Sequence, residues 1–196
     1  MAIRAQNRNP AALAFLLLAA ACSSSPPAPE WQSNASDALQ AFQQRYLTGD
    51  SKGADTEFLR ARSELTATGR ADLVARAELV RCAARVASLV LEPCSGFKAL
   101  RDGAGPEELA YADYLEGRAQ RAPGNEPLAR LVAFGVLFRA GSINPQDIAA
   151  AVDIASSQGW RRALLAWLGV QLKRAEQAGD GETAARLKRR IELVSG

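Results

Sequence analysis

The residue pairs that could carry chemistry in this chain are few. Ser95 and Lys98 are three residues apart, so a helix would place the lysine amine one turn from the serine hydroxyl, where it could activate a nucleophile. Glu107 and Glu108 are adjacent, and on a helix their side chains diverge by about 100°, so they cannot face each other as a general acid and base. We interpret them as favourable charges at a helix N-terminus. Histidine, the commonest general base and metal ligand, is absent.

The serine–lysine pair is interpreted as a chance match. Penicillin-binding proteins and serine β-lactamases share the S-x-x-K pattern, but the S-D-N and K-T-G motifs that they also need do not occur in this sequence. A phosphate-binding glycine loop, a G-x-S-x-G elbow and a C-x-x-C pair are also missing. The sequence therefore carries no catalytic signature, and it predicts a protein that is not an enzyme and that has no cofactor.

Cys82 and Cys94 could form a disulfide if the chain is exported to an oxidising compartment. If the helix that contains Cys82 runs to Leu91, it rises about 13 Å, whereas the three returning residues cover at most ~10 Å. Pairing therefore requires that helix to end early, near Ser88, and the sequence leaves both outcomes open. Two thiols without a histidine do not predict a metal site.

The N-terminal segment has the parts of a secretory leader. Arg4 and Arg8 precede an apolar run over Leu13–Leu18, and the small residues Ala19–Ala21 lead to Cys22. This arrangement resembles the bacterial lipobox, although Ala19 stands where leucine is usual. The resemblance implies that residues 1–21 are a signal peptide, that Cys22 becomes the lipidated first residue, and that acyl chains (palmitate and diacylglycerol) anchor the protein to a membrane. It makes the chain similar to uncharacterised proteobacterial lipoproteins.

The residues after Cys22 predict a tether and a location. Residues 22–34 begin with a Ser/Pro-rich stretch that favours an extended, semi-stiff chain, and the helical domain is predicted over residues 35–196. In lipoproteins that have a lipobox, an aspartate directly after the lipidated cysteine marks retention in the inner membrane. Ser23 occupies that place here, which implies the inner leaflet of the outer membrane, facing the periplasm.

The remaining chain predicts an all-α domain of about eight helices. Apolar residues recur at helical spacing almost to the end, and no alternating β-branched stretch competes. A Gly-Asp break followed by alanine occurs at Gly49–Ala54 and again at Gly179–Ala184, where glycine would end one helix and aspartate would cap the next. These turns resemble those inside tetratricopeptide repeats, which implies an irregular stack of antiparallel helical hairpins. A plain helical bundle is the alternative.

The C-terminal part of the chain is basic, whereas the whole chain carries a formal charge of only +3. A weak overall charge gives no drive towards nucleic acid. The basic residues could contact an anionic surface such as lipid or glycan, but i,i+4 charge pairs among them favour a solvated helix face. They are Lys173, Arg174, Arg186, Lys188, Arg189 and Arg190.

We therefore expect an outer-membrane lipoprotein whose helical body binds or scaffolds another envelope protein, with no small-molecule substrate. Helical hairpins offer concave surfaces that suit such partners. One alternative is an enzyme, or an accessory to one, that acts on peptidoglycan or another glycan with carboxylates such as Asp113 and Glu116. That alternative requires an acid of raised pKa in a polar cleft. A passive structural lipoprotein is the third possibility.

Overall fold

A computed structural model describes residues 29–121 and 124–196. Cys22, the leader at residues 1–21 and the tether residues 22–28 lie outside this part of the chain. Within it the fold is all-α, which confirms the predicted fold class, and there are nine helices where about eight were expected. They are α1 (Glu30–Thr48), α2 (Ser51–Thr66), α3 (Ala71–Ala87), α4 (Ser95–Lys98), α5 (Pro106–Leu115), α6 (Pro127–Arg139), α7 (Pro145–Ser157), α8 (Arg161–Gln177) and α9 (Gly181–Ser195).

Helix α3 lies at the centre, because apolar residues occupy two adjacent rows along it, namely Leu73, Ala77, Val80 and Ala84, and Ala75, Leu79, Cys82 and Val86. It packs against α1, α2, α4, α5 and α6, and the chain continues from α6 through α7 and α8 until α8 packs back against α1. This closure makes the molecule a bundle, with antiparallel hairpins at both ends, rather than an open stack. The main core includes Leu115, Leu131, Trp167 and Leu168, all fully buried.

The two Gly-Asp breaks form matching turns between helices. Gly49 and Gly179 both have positive φ, which glycine adopts without a steric penalty. The next residues, Asp50 and Asp180, cap α2 and α9 by accepting hydrogen bonds from the backbone N–H of Gly53 and Thr183. The predicted turn chemistry is confirmed at both places.

Side chains at the start of α8 join it to α1. The Arg162 guanidinium donates to the carbonyl of Tyr46 at 2.6 Å and lies 4.4 Å from the centroid of the Tyr46 ring. It also donates to the hydroxyl of Ser51 at 2.6 Å, and the Trp160 indole donates to the Gln44 amide oxygen at 3.2 Å. These contacts join the start of α8 to the C-terminal part of α1 and to the start of α2.

Helices α3 and α6 approach each other closely at a glycine. A Cβ on Gly135 would lie 2.8 Å from the Cγ1 of Val86 and closer still to the Val86 carbonyl oxygen. One residue further along α3, the buried indole of Trp167 donates to the carbonyl of Ala87 at 3.0 Å. Gly135 therefore sets the spacing of the two helices, which matters because both also line the cleft described below.

The predicted start of the helical domain was wrong. Residues 30–34 were assigned to the tether, but they form the start of α1, because Pro29 precedes the helix and Trp31 packs against the core that α1 shares with α2 and α3. On α3, Glu78 is buried although it carries a charge. Its carboxylate lies 3.3 Å from the Arg62 guanidinium, and an ion pair of this kind permits burial of a charge that would otherwise be exposed.

Candidate functional site

A cleft of about 360 Å³ opens between α3, α5 and α6. Two tyrosines and two arginines stand on its walls, and small or branched apolar side chains form its floor. We call it the tyrosine cleft. It is lined by Arg76, Leu79, Val80, Glu107, Glu108, Tyr111, Tyr114, Arg121, Gly124, Ala129 and Val132.

An ion pair between α3 and α5 forms one end of the cleft. Pro106 begins α5, and the next two glutamates lie in its first turn. The Arg76 guanidinium donates twice to Oε1 of Glu108, at 2.8 and 2.6 Å, and the Glu108 side chain is only 7% exposed. Glu107 lies 3.7 Å from the same guanidinium but is 90% exposed, so it points along the rim of the cleft.

Two tyrosines on successive turns of α5 form the wall beside it. Their rings are stacked with centroids 5.9 Å apart, and the Arg121 guanidinium lies 5.2 Å from the centroid of Tyr111. Burial raises the pKa of Tyr111 to about 12 and also raises the pKa of Tyr114, while the Arg121 charge opposes both shifts. Both hydroxyls therefore keep their protons at neutral pH and can donate hydrogen bonds.

The floor of the cleft is apolar and fixed. Leu79 comes from α3 and Val132 from α6, and both are almost fully buried in the main core. Ala129 is small, which leaves room above the floor. An apolar floor between polar walls is the usual composition of a binding pocket, and 360 Å³ is near the lower limit of the ~300–1,000 Å³ found for small-ligand sites.

Two other grooves lack this combination. One, of about 260 Å³, lies beside Trp160 and is lined mainly by glutamines and apolar side chains. The other, of about 310 Å³, runs along α6 past Phe134 and Leu137. Neither contains a tyrosine, so we treat the tyrosine cleft as the candidate site.

The carboxylates considered for an enzyme do not line the tyrosine cleft. Asp113 accepts a hydrogen bond from Arg118 at 2.6 Å and lies 3.6 Å from Arg101. These contacts lower the pKa of Asp113, which is opposite to the shift that a general acid requires. Glu116 is paired with Arg118. The arrangement is therefore that of a surface ion-pair network.

The serine–lysine pair and the cysteines do not line the tyrosine cleft. Ser95 and Lys98 are the first and last residues of the single-turn helix α4, and no hydrogen bond joins their side chains. Cys82 and Cys94 form a disulfide, with Cα atoms 5.7 Å apart. This pairing is possible because α3 ends at Ala87, as the length argument required.

The six basic residues of the C-terminal part lie on the outer faces of α8 and α9 and line none of the three grooves described above. Lys188 pairs with Glu176 at 2.8 Å, and Arg186 pairs with Glu182. Four of the six form no ion pair within residues 29–121 and 124–196, namely Lys173, Arg174, Arg189 and Arg190. The six basic residues therefore do not form a pocket with one another among the grooves described here.

The described residues contain no group of three side chains that could hold a metal ion, and none of their helices is long and apolar enough to cross a bilayer. Comparisons with protein-family models, with curated proteins and with solved structures find no match to this chain. The site is therefore interpreted from its own geometry.

The tyrosine cleft was not predicted from the sequence. No role was predicted for Tyr111, Tyr114, Arg76 or Arg121. The spacing of the tyrosines was a usable signal, because residues three apart share a helix face. The pairing of Arg76 with Glu108, 32 residues away, depends on how α3 packs against α5, and no local pattern shows it.

Proposed function

We propose that this chain is a lipid-anchored module of the bacterial cell envelope and that its helical body binds another protein through the tyrosine cleft. The observation that supports the second part is the composition of the cleft. Tyrosine and arginine are among the residues that contribute most to protein–protein binding, and they do so where an apolar centre is surrounded by polar groups. The tyrosine cleft has this arrangement on three packed helices.

The support for the anchor is the lipobox resemblance at Cys22. The test is the Cys22→Ser variant expressed in a Gram-negative host. We expect the variant to accumulate unprocessed or away from the membrane, because the thiol that carries the lipid is lost. A variant that is processed and retained like the unmodified protein would remove the basis for the anchor.

Protein binding is tested by placing a photo-crosslinking amino acid at Gly124, which lines the cleft, is exposed and carries no charge. Leu193 on α9 is 82% exposed and lies on another helix, so the same amino acid there is a matched control. We expect a discrete crosslinked product, identified by mass spectrometry, from position 124 and not from position 193. Identical products from both positions, or none from position 124, would contradict protein binding at the cleft.

A further inference from the structure

The ends of the tyrosine cleft carry opposite charge. At the first turn of α5, Glu107 and Glu108 face the single guanidinium of Arg76, so this end has an excess of negative charge. At the other end the Arg121 guanidinium lies over Tyr111 and forms no ion pair with any residue of the described chain. The cleft therefore has a negative end at the first turn of α5 and a positive end at Arg121.

The positive end also presents hydrogen-bond donors. The Tyr114 side chain lines the cleft although the residue is only 6% exposed, and its hydroxyl forms no hydrogen bond within residues 29–121 and 124–196. The Tyr111 hydroxyl is likewise without a described partner. Both hydroxyls are protonated, since burial raises the pKa of each tyrosine. Two phenols beside a guanidinium form a donor-rich end, which suits a carboxylate.

The distance between the two ends fits a short stretch of polypeptide. Glu107 and Tyr111 are four residues apart on α5, a rise of about 6 Å. In an extended peptide, side chains two residues apart lie on the same side and are separated by roughly 6.7 Å. The side chain between them in sequence points to the opposite side, away from the cleft, so the aliphatic stems of the two outer side chains are the parts that lie over the apolar floor formed by Leu79 and Val132.

We propose that the tyrosine cleft binds an extended partner segment in which one basic and one acidic side chain lie two residues apart on the same side, with the acidic side chain bound by Arg121, Tyr111 and Tyr114. This inference rests on the proposed function, because it names the chemistry of the partner at the same cleft. Complementary charge at both ends, rather than apolar contact alone, sets the specificity of the cleft.

The first test compares four fluorescently labelled pentapeptides with blocked termini, GKLEG, GELEG, GKLKG and GQLQG. Their binding to the full-length protein in detergent is measured by fluorescence anisotropy at low salt. We expect GKLEG to bind roughly tenfold more tightly than GQLQG, since hydrogen bonds to charged groups are the stronger ones, and more tightly than GELEG or GKLKG. Equal binding of GKLEG and GQLQG, or no binding of GKLEG at millimolar concentration, would overturn the proposal.

The second test reverses the charge at one end. The Arg121→Glu variant should prefer GKLKG to GKLEG, because both ends of the cleft are then negative. Lys52→Glu on α2 changes the net charge equally at an exposed position outside the cleft, and it should keep the preference for GKLEG. Tyr114→Phe should weaken GKLEG binding roughly three- to tenfold without changing which peptide is preferred. Retained preference for GKLEG in Arg121→Glu would refute the assignment of the acidic side chain to Arg121.

The outcome also separates this inference from the proposed function. If position 124 crosslinks to a partner but the peptides show no charge preference, protein binding stands and the charge pattern is wrong. If position 124 gives no crosslinked product and no peptide binds, both proposals fail.

Discussion

Replacing Gly135 by alanine tests the close approach of α3 and α6. The added methyl group would lie 2.8 Å from the Cγ1 of Val86 and 3.0 Å from its carbonyl carbon. Backbone atoms cannot rotate away as a flexible side chain can, so the helices must separate. Overpacking of this kind costs about 1–3 kcal/mol, whereas alanine gains about 1 kcal/mol over glycine inside a helix.

We expect a net loss of about 2 kcal/mol for Gly135→Ala, because the contact with backbone atoms places the clash at the upper end of that range. For a domain of this size the midpoint of thermal unfolding should fall by about 4–8 °C, measured by circular dichroism. The same change should weaken peptide binding in the cleft, since α3 and α6 both line it.

Gly169 in α8 is the matched control. It also lies inside a helix, but a Cβ there would have no atom within 4 Å. Gly169→Ala should therefore raise the free energy of unfolding by about 1 kcal/mol, a rise of about 2–4 °C in the midpoint. A Gly135→Ala protein that is as stable as the unmodified one would refute the argument that this glycine sets the helix spacing.

Three further predictions concern the disulfide and two titratable side chains. Replacing Cys82 and Cys94 by serine should lower the free energy of unfolding by about 3 kcal/mol in urea titrations, because the cross-link restricts the unfolded chain; equal stability with and without reductant in the unmodified protein would contradict this. Burial raises the pKa of Tyr111 above its usual value of 10.0 to about 12, so its contribution to stability is complete below pH 10 and is lost as the pH rises towards 12. Phenolate absorbance should show this late titration in the folded protein and not in urea, and Tyr111→Phe should reduce its amplitude by one tyrosine, because burial also raises the pKa of Tyr46 and Tyr114. The Nε and Nη2 atoms of Arg139 are buried without a hydrogen-bond partner in the described chain, so Arg139→Met should leave stability unchanged or raise it by about 1 kcal/mol; a clear loss in thermal unfolding would show that the charge has a partner.

Local patterns predicted the elements of the fold well because their causes are local. The turns at Gly49 and Gly179 follow from glycine in a left-handed conformation and aspartate at the following cap, and both are read from a few adjacent residues. The central position of α3 follows in the same way from two apolar rows on one helix.

The cleft could not be predicted because its causes are distant in sequence. In the sequence, Glu108 looks like any glutamate in the first turn of a helix. It is buried in the structure because α5 packs beside α3, where Arg76 pairs with it. Burial of Glu78 depends in the same way on Arg62 of a neighbouring helix. Closure of the bundle depends on Arg162, whose target is a backbone carbonyl that no side-chain pattern identifies.

The contact between α8 and α1 has a consequence for how the chain folds. Arg162 and its carbonyl partner at Tyr46 are 116 residues apart, as are Trp160 and Gln44. During synthesis from the N-terminus, α1 emerges long before α8, so the side of the α1–α2 hairpin that contacts α8 stays uncovered until α8 folds. Contacts between residues so far apart form late and slow the folding of a domain. Helix α1 is therefore made early but gains its contacts with α8 late. Until then its uncovered face is open to a chaperone or to another unfolded chain.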